Sequence, residues 1–134
     1  TAGPTYTSGS YQTVVLNTES FDPNGIVSIS SNRFTLAAGT YMITAIAPFK
    51  GAGADIVARI YNVTDAATAI KGVNKENGNS TVDGEIYTLN GFVTIDGSKA
   101  FEFQVHSNVS LTAVPAKTLG DNEVYAYISI LKIA

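Results

Sequence analysis

His106 is the single histidine of this chain, and cysteine is absent. Nucleophilic or acid–base chemistry of the usual kinds therefore has one imidazole to work with. His106 lies in KAFEFQVHS, residues 99–107, at the same parity as Glu102 and Gln104. Ser107 and Asn108 follow it, and no G-x-S-x-G elbow occurs anywhere, so a surface or interface histidine is expected. Zinc sites built from several His or Cys are not available. The 11 Asp and Glu residues are dispersed and match no EF-hand pattern. Two oxygen-rich loops, FDPNG at 21–25 and LGDNE at 119–123, hold the hard donors that Ca²⁺ takes, and turn chemistry accounts for them at least as well. KGAGAD at 50–55 lacks the Lys-Ser/Thr ending of a phosphate loop. No metal and no cofactor is expected, and the chain is read as not an enzyme. Trp is absent, which leaves Tyr6, Tyr11, Tyr61 and Tyr87 as the rings on which a sugar could stack; a place at the core edge is the plainer reading.

The elements that must position these residues are strands. The 134 residues are one domain's worth, and 45% are hydrophobic, enough for a core. Only 14% are charged, so Ser, Thr, Asn and Gly must cover the surface, or an assembly must hide part of it. The net charge is −3 and the 8 basic residues are scattered, which argues against nucleic acid as a partner. No apolar run approaches the ~20 residues of a membrane helix, so no membrane insertion is expected. Helical periodicity is absent. Short β-branched and aromatic runs lie between Gly, Asn, Asp and Pro, and predict strands over 10–17, 26–30, 33–36, 40–49, 55–63, 68–73, 84–95, 99–107, 109–114 and 123–133. About ten antiparallel strands in one domain mean a sandwich or a jelly roll. Residues 1–9, TAGPTYTSG, read as an N-terminal arm or linker ahead of a domain over 10–134.

Two of these strands are apolar on both faces. In EVYAYISILKIA, 123–134, one face is Val124, Ala126, Ile128 and Ile130 and the other carries Tyr125, Tyr127, Leu131 and Ile133. In 40–49, Tyr41, Ile43, Ala45, Ala47 and Phe49 make one face, and Met42, Ile46 and Pro48 leave the other mostly apolar. A sheet with one wet side should alternate apolar with polar. Exposed apolar patches are avoided by soluble monomers, so these strands are read as an oligomer interface, with coverage by the chain's own loops as the alternative.

The order of segments carries a resemblance. VVLNTESFDPNGIVSISSNRFTLAAGTYMITAIAPF, 14–49, resembles the opening of the jelly-roll domains related to the globular head of complement component 1q and to tumour necrosis factor. The matching features are Asn17 in a first strand, then Asn32, Phe34 and Leu36, then Gly39 and Tyr41 at a turn into a core strand. ARIYNVTD 58–65, GFVTI 91–95, FEFQV 101–105 and the final EVYAYISILKI keep the order and spacing, so the likeness covers about 10–134. The wording is most similar to versions of this domain in bacteriophage particle proteins. No collagen-like stalk or receptor signature is present.

The resemblance implies a ten-stranded, tumour-necrosis-factor-like jelly roll in a compact homotrimer. Tyr41, Ile43, Tyr125, Tyr127 and Leu131 would be its interface residues. It implies a non-enzymatic structural protein on the virion surface, outside the cell, decorating the capsid. The alternatives are a receptor-binding tail-fibre tip and a lectin-like module of a bacterial surface protein. Partners would be other virion proteins or a host-surface glycan or receptor. The exposed loops 74–84 and 115–122 would bind, through Asn77, Asn79, Asp83, Lys117 and Asp121.

Overall fold

A computed structural model describes residues 2–79, 84–116, 119–120 and 123–134. Among them the chain is all strand and loop. The strands are β1 Gln12–Thr13, β2 Val27–Ser30, β3 Arg33–Leu36, β4 Gly39–Phe49, β5 Asp55–Asn62, β6 Ala67–Lys71, β7 Lys75–Glu76, β8 Glu85–Ile95, β9 Lys99–Ser107 and β10 Tyr127–Lys132. They form two antiparallel sheets, consistent with a β-sandwich. The large sheet runs β2-β3-β9-β5-β6, with β1 also on β9 and β7 also on β5. The small sheet runs β10-β4-β8.

Alternation in sequence becomes alternation in burial. In β5, Ile56, Ala58 and Ile60 are buried while Val57, Arg59 and Tyr61 between them are half-buried. The core lies between the sheets. Phe34 and Phe101 of the large sheet stack at 5.5 Å, and Phe103 meets Phe49 of the small sheet at 6.4 Å. Each large apolar side chain buried there contributes about 1.5–3 kcal/mol.

Two local features hold the frame. Ser31 and Asn32, with φ of 53° and 62°, turn β2 into β3 in two residues, the positive-φ pair that suits the strand twist. Tyr87 of β8 reaches across the core. The Ala58 N–H donates to its hydroxyl oxygen at 3.1 Å, and the hydroxyl donates to the Val73 carbonyl. A Cβ at Gly72 would stand 2.2 Å from that oxygen, so glycine makes room for it.

Three strand expectations change, and the reading of the first residues with them. The strand expected over 10–17 pairs at Gln12 and Thr13, with one further bond from the Val14 N–H to the Phe103 carbonyl, and then leaves the sheet, where the Leu16 N–H donates to the Asn32 side chain. Residues 109–114 make two isolated bridges, Leu111 to Tyr6 and Thr112 to Lys50, rather than a strand. The short β7 was not foreseen. The expected arm over 1–9 is tied to the body: Tyr6 is buried with its ring edge-on to Phe49, and the Gly3 and Gly9 N–H groups donate to Val114 and Ser107.

Candidate functional site

The outer face of the small sheet carries an ordered apolar surface. Register sets it out in rows. Leu131, Met42 and Phe92 align across β10, β4 and β8; Tyr127, Ile46 and Thr88 form another row; Pro48 and Ile86 extend it. Ile86, Phe92, Tyr127 and Leu131 are each 57–63% exposed. Between the two apolar rows run Ser129, Thr44 and Asn90, with the Asn90 amide donating to the Thr44 hydroxyl at 2.7 Å. Seven apolar side chains on one sheet face exceed the scattered exposure normal for a soluble surface.

The five expected interface residues divide. Tyr127 and Leu131 stand on this open face. Tyr41 and Ile43 do not: they are 1% and 0% exposed in the core of their own chain, and the Tyr41 hydroxyl donates to the Ala37 carbonyl. The physical reason is register. Tyr41 pairs with Lys132 and Ile43 with Ile130, so they share the inward side with Ile130, while Met42 and Ile46 face out beside Leu131 and Tyr127. A strand apolar on both faces carries no mark of which side is inward. Tyr125 lies against the chain's own first residues, its ring 2.9 Å from where a Gly3 Cβ would be. Loss of water around its phenol, and then the Glu123 carboxylate, hold that phenol above its ordinary range.

Of the expected binding-loop residues, Asn77 is a structural side chain. It is 1% exposed, donates to the Phe49 and Gly51 carbonyls at 3.1 Å, and accepts from Lys75 at 2.9 Å. Asn79 is exposed, beside Gly53. Asp83, Lys117 and Asp121 lie outside the described residues. In FDPNG, both Asp22 oxygens accept backbone N–H bonds, from Ile26 and Val27, and these hold its carboxyl below the ordinary range. That is the turn chemistry expected of the loop.

The outer face of the large sheet is polar and tightly bonded. Glu102 is buried, and accepts from Thr13 and Gln104 on one oxygen and from Arg33 on the other, at 2.8–2.9 Å. Burial is the largest influence on its carboxyl and pushes it up, but the bonds from Arg33, Gln104 and Thr13 together outweigh it and hold the carboxyl below its ordinary range. Next to it, Arg59 donates Nε–H to Gln104 and an Nη1–H to Thr68. Its guanidinium lies 3.6 Å from the Tyr11 ring centre and 4.3 Å from that of Tyr61. His106 packs on Tyr11 at 5.2 Å. Sequence reasoning saw Glu102, Gln104 and His106 as one polar strand face but passed over Arg59. The available signal was an Arg at outward parity in β5, flanked by Tyr61 in the same strand.

Two shallow grooves of about 470 and 480 Å³ lie on the described surface, one beside Asp65, Asp96 and Lys99, the other beside Asp55, Glu76 and His106. Among the described residues no three His, Cys, Asp or Glu side chains converge on a point. Comparison with known proteins finds no family model and no curated protein that matches the chain.

Proposed function

We propose that this chain is a non-enzymatic assembly and display module: a jelly-roll domain that associates as a homotrimer through the outer face of its small sheet. The observation that carries this reading is the apolar face built by Leu131, Met42 and Phe92 and by Tyr127, Ile46, Pro48 and Ile86. Burying such residues releases roughly 25 cal/mol for each Å² of apolar surface, the usual drive to association. The jelly-roll reading is supported by nested pairing. β3 pairs with β9 and β5 with β6 in one sheet, while β4 pairs with β8 in the other, the arrangement a long folded ribbon takes when it wraps round a core. Threefold symmetry, and a place on the surface of a bacteriophage particle as a capsid decoration protein, rest on the resemblance of segments 14–49, 58–65, 91–95, 101–105 and 123–133.

Light scattering of the purified chain from dilute to concentrated tests the assembly. The expected mass is three chains, independent of concentration, with Leu131→Asp lowering it to one. Leu131 is half-exposed and at a sheet edge, so this change leaves the fold intact. A wild-type monomer at all concentrations, or an unchanged mass for Leu131→Asp and for a second variant Phe92→Asp, would refute the reading.

A further inference from the structure

We propose that the outer face of the large sheet binds an acidic saccharide, with Arg59 and Lys71 taking its carboxylate. This face is separate from the apolar one, so the proposal stands or falls independently of the assembly.

The first observation is an uncompensated charge. Arg59 of β5 and Lys71 of β6 are directly opposite each other in the ladder. Like charges placed so are unfavourable unless an anion lies between them. Among the described residues neither has a carboxylate partner. Glu102, the nearest acidic group on the face, is already taken by Arg33. The other acidic groups on this side, Asp55 and Glu76, sit at the far end of β5, roughly 13 Å along the strand from Arg59. Three cations (Arg33, Arg59 and Lys71) against one carboxylate make a positive patch on a chain whose net charge is −3.

The second observation is preorganisation. Arg59 has five N–H donors, and Gln104 and Thr68 engage two of them. Those bonds and the faces of Tyr11 and Tyr61 fix the guanidinium, while three donors stay free. A guanidinium fixed in this way loses little freedom on binding, and its planar fork suits a carboxylate.

The third observation selects the class of ligand. The transverse row is Thr13, Gln104, Arg59 and Lys71. An acidic peptide would draw its affinity from apolar pockets or a free strand edge. None of the four residues of this row is apolar: they present hydroxyl, amide and cationic groups on a broad face, flanked by tyrosine rings, and the open edge of β6 beside Lys71 is the one feature a peptide could use, which the tetra-aspartate arm of the test reads. A sugar chain supplies the complement, with hydroxyls for the amide and hydroxyl groups, apolar C–H faces for the rings and a carboxylate for the two cations.

The test is an NMR titration of the isotope-labelled chain with two carboxylate sugars, sialyllactose and trigalacturonate, against lactose and tetra-aspartate. Light scattering of the same sample reads the assembly separately. The expected result is that at least one acidic sugar shifts the amides of β5 and β6 around Arg59 and Lys71, and lactose does not. Lys71→Glu, an exposed change that leaves the fold intact, should weaken that binding about tenfold, the scale of one lost charge contact. Arg59→Gln should abolish it. No shift with either acidic sugar overturns the proposal, as does equal binding of lactose. Tetra-aspartate binding as tightly as the sugars would assign the face to an acidic peptide and overturn the saccharide.

Discussion

Replacing Glu102 by Gln isolates one charge at nearly constant shape. In the wild type, one carboxylate oxygen accepts from Thr13 and Gln104 and the other from Arg33. A Gln side chain keeps one oxygen. If that oxygen serves Thr13 and Gln104, the amide nitrogen meets the Arg33 Nε–H, donor against donor. A hydrogen bond to a charged group is worth about 1.5–3 kcal/mol. Arg33 is 48% exposed in the pair, so water screens part of this and the expected loss is about 1–2 kcal/mol. In a domain of this size that lowers the melting temperature by about 4–8 °C. The pH dependence gives a second reading. The folded carboxyl lies below its ordinary value of 4.5, so its stabilisation is fully present above that value and is lost as pH falls through the lower folded one. Urea unfolding at fixed protein concentration, at neutral pH and at about pH 3, should show a gap between wild type and variant that narrows in acid. A gap below about 0.5 kcal/mol at neutral pH, or one undiminished in acid, would refute the reasoning.

Two further substitutions test the frame. Tyr87→Phe removes the hydroxyl that serves the Ala58 N–H and the Val73 carbonyl, and should cost about 1–3 kcal/mol in urea unfolding with the secondary structure by circular dichroism unchanged. Asn77→Ala strips a donor from the Phe49 and Gly51 carbonyls and should destabilise by about 1–3 kcal/mol, while the exposed Asn79→Ala should stay within about 0.5 kcal/mol, as compared by thermal melts.

Strands were legible wherever turn residues bounded a run of β-branched or aromatic residues. β2, β3, β4, β5, β8 and β9 fall where the alternation of the chain puts them, within two residues at each end. The failures share a cause. Segments 10–17 and 109–114 have strand composition, but the first leaves its ladder after Val14, with the Leu16 N–H on a side chain, and the second makes only single bridges; composition does not record a partner. Tyr41 and Ile43 were misplaced because β4 is apolar on both sides. Only the pairing with β10 decides which side meets the core. A loop asparagine such as Asn77 suits an exposed binding surface and a buried bridge between two carbonyls equally well, and the sequence does not distinguish them. The Arg59 site was hidden because its parts come from β1, β5, β6 and β9, which are distant in sequence.

The two sheets also differ in when they can exist. The large sheet contains neighbours in the chain, β2 with β3 and β5 with β6, whose pairing closes short loops. The small sheet contains none: β4, β8 and β10 are all separated by other strands, and Tyr127 meets Ile46 from roughly eighty residues away. Pairing across long stretches of chain is slow to nucleate. Hairpins of the large sheet are therefore expected to be protected first in pulse-labelled hydrogen exchange and β10 last; early protection of β10 would contradict this. The apolar outer face then comes into being at the final step of folding. A chain without β10 in place lacks Tyr127 and Leu131 on that face, so the association proposed above would wait for the last strand.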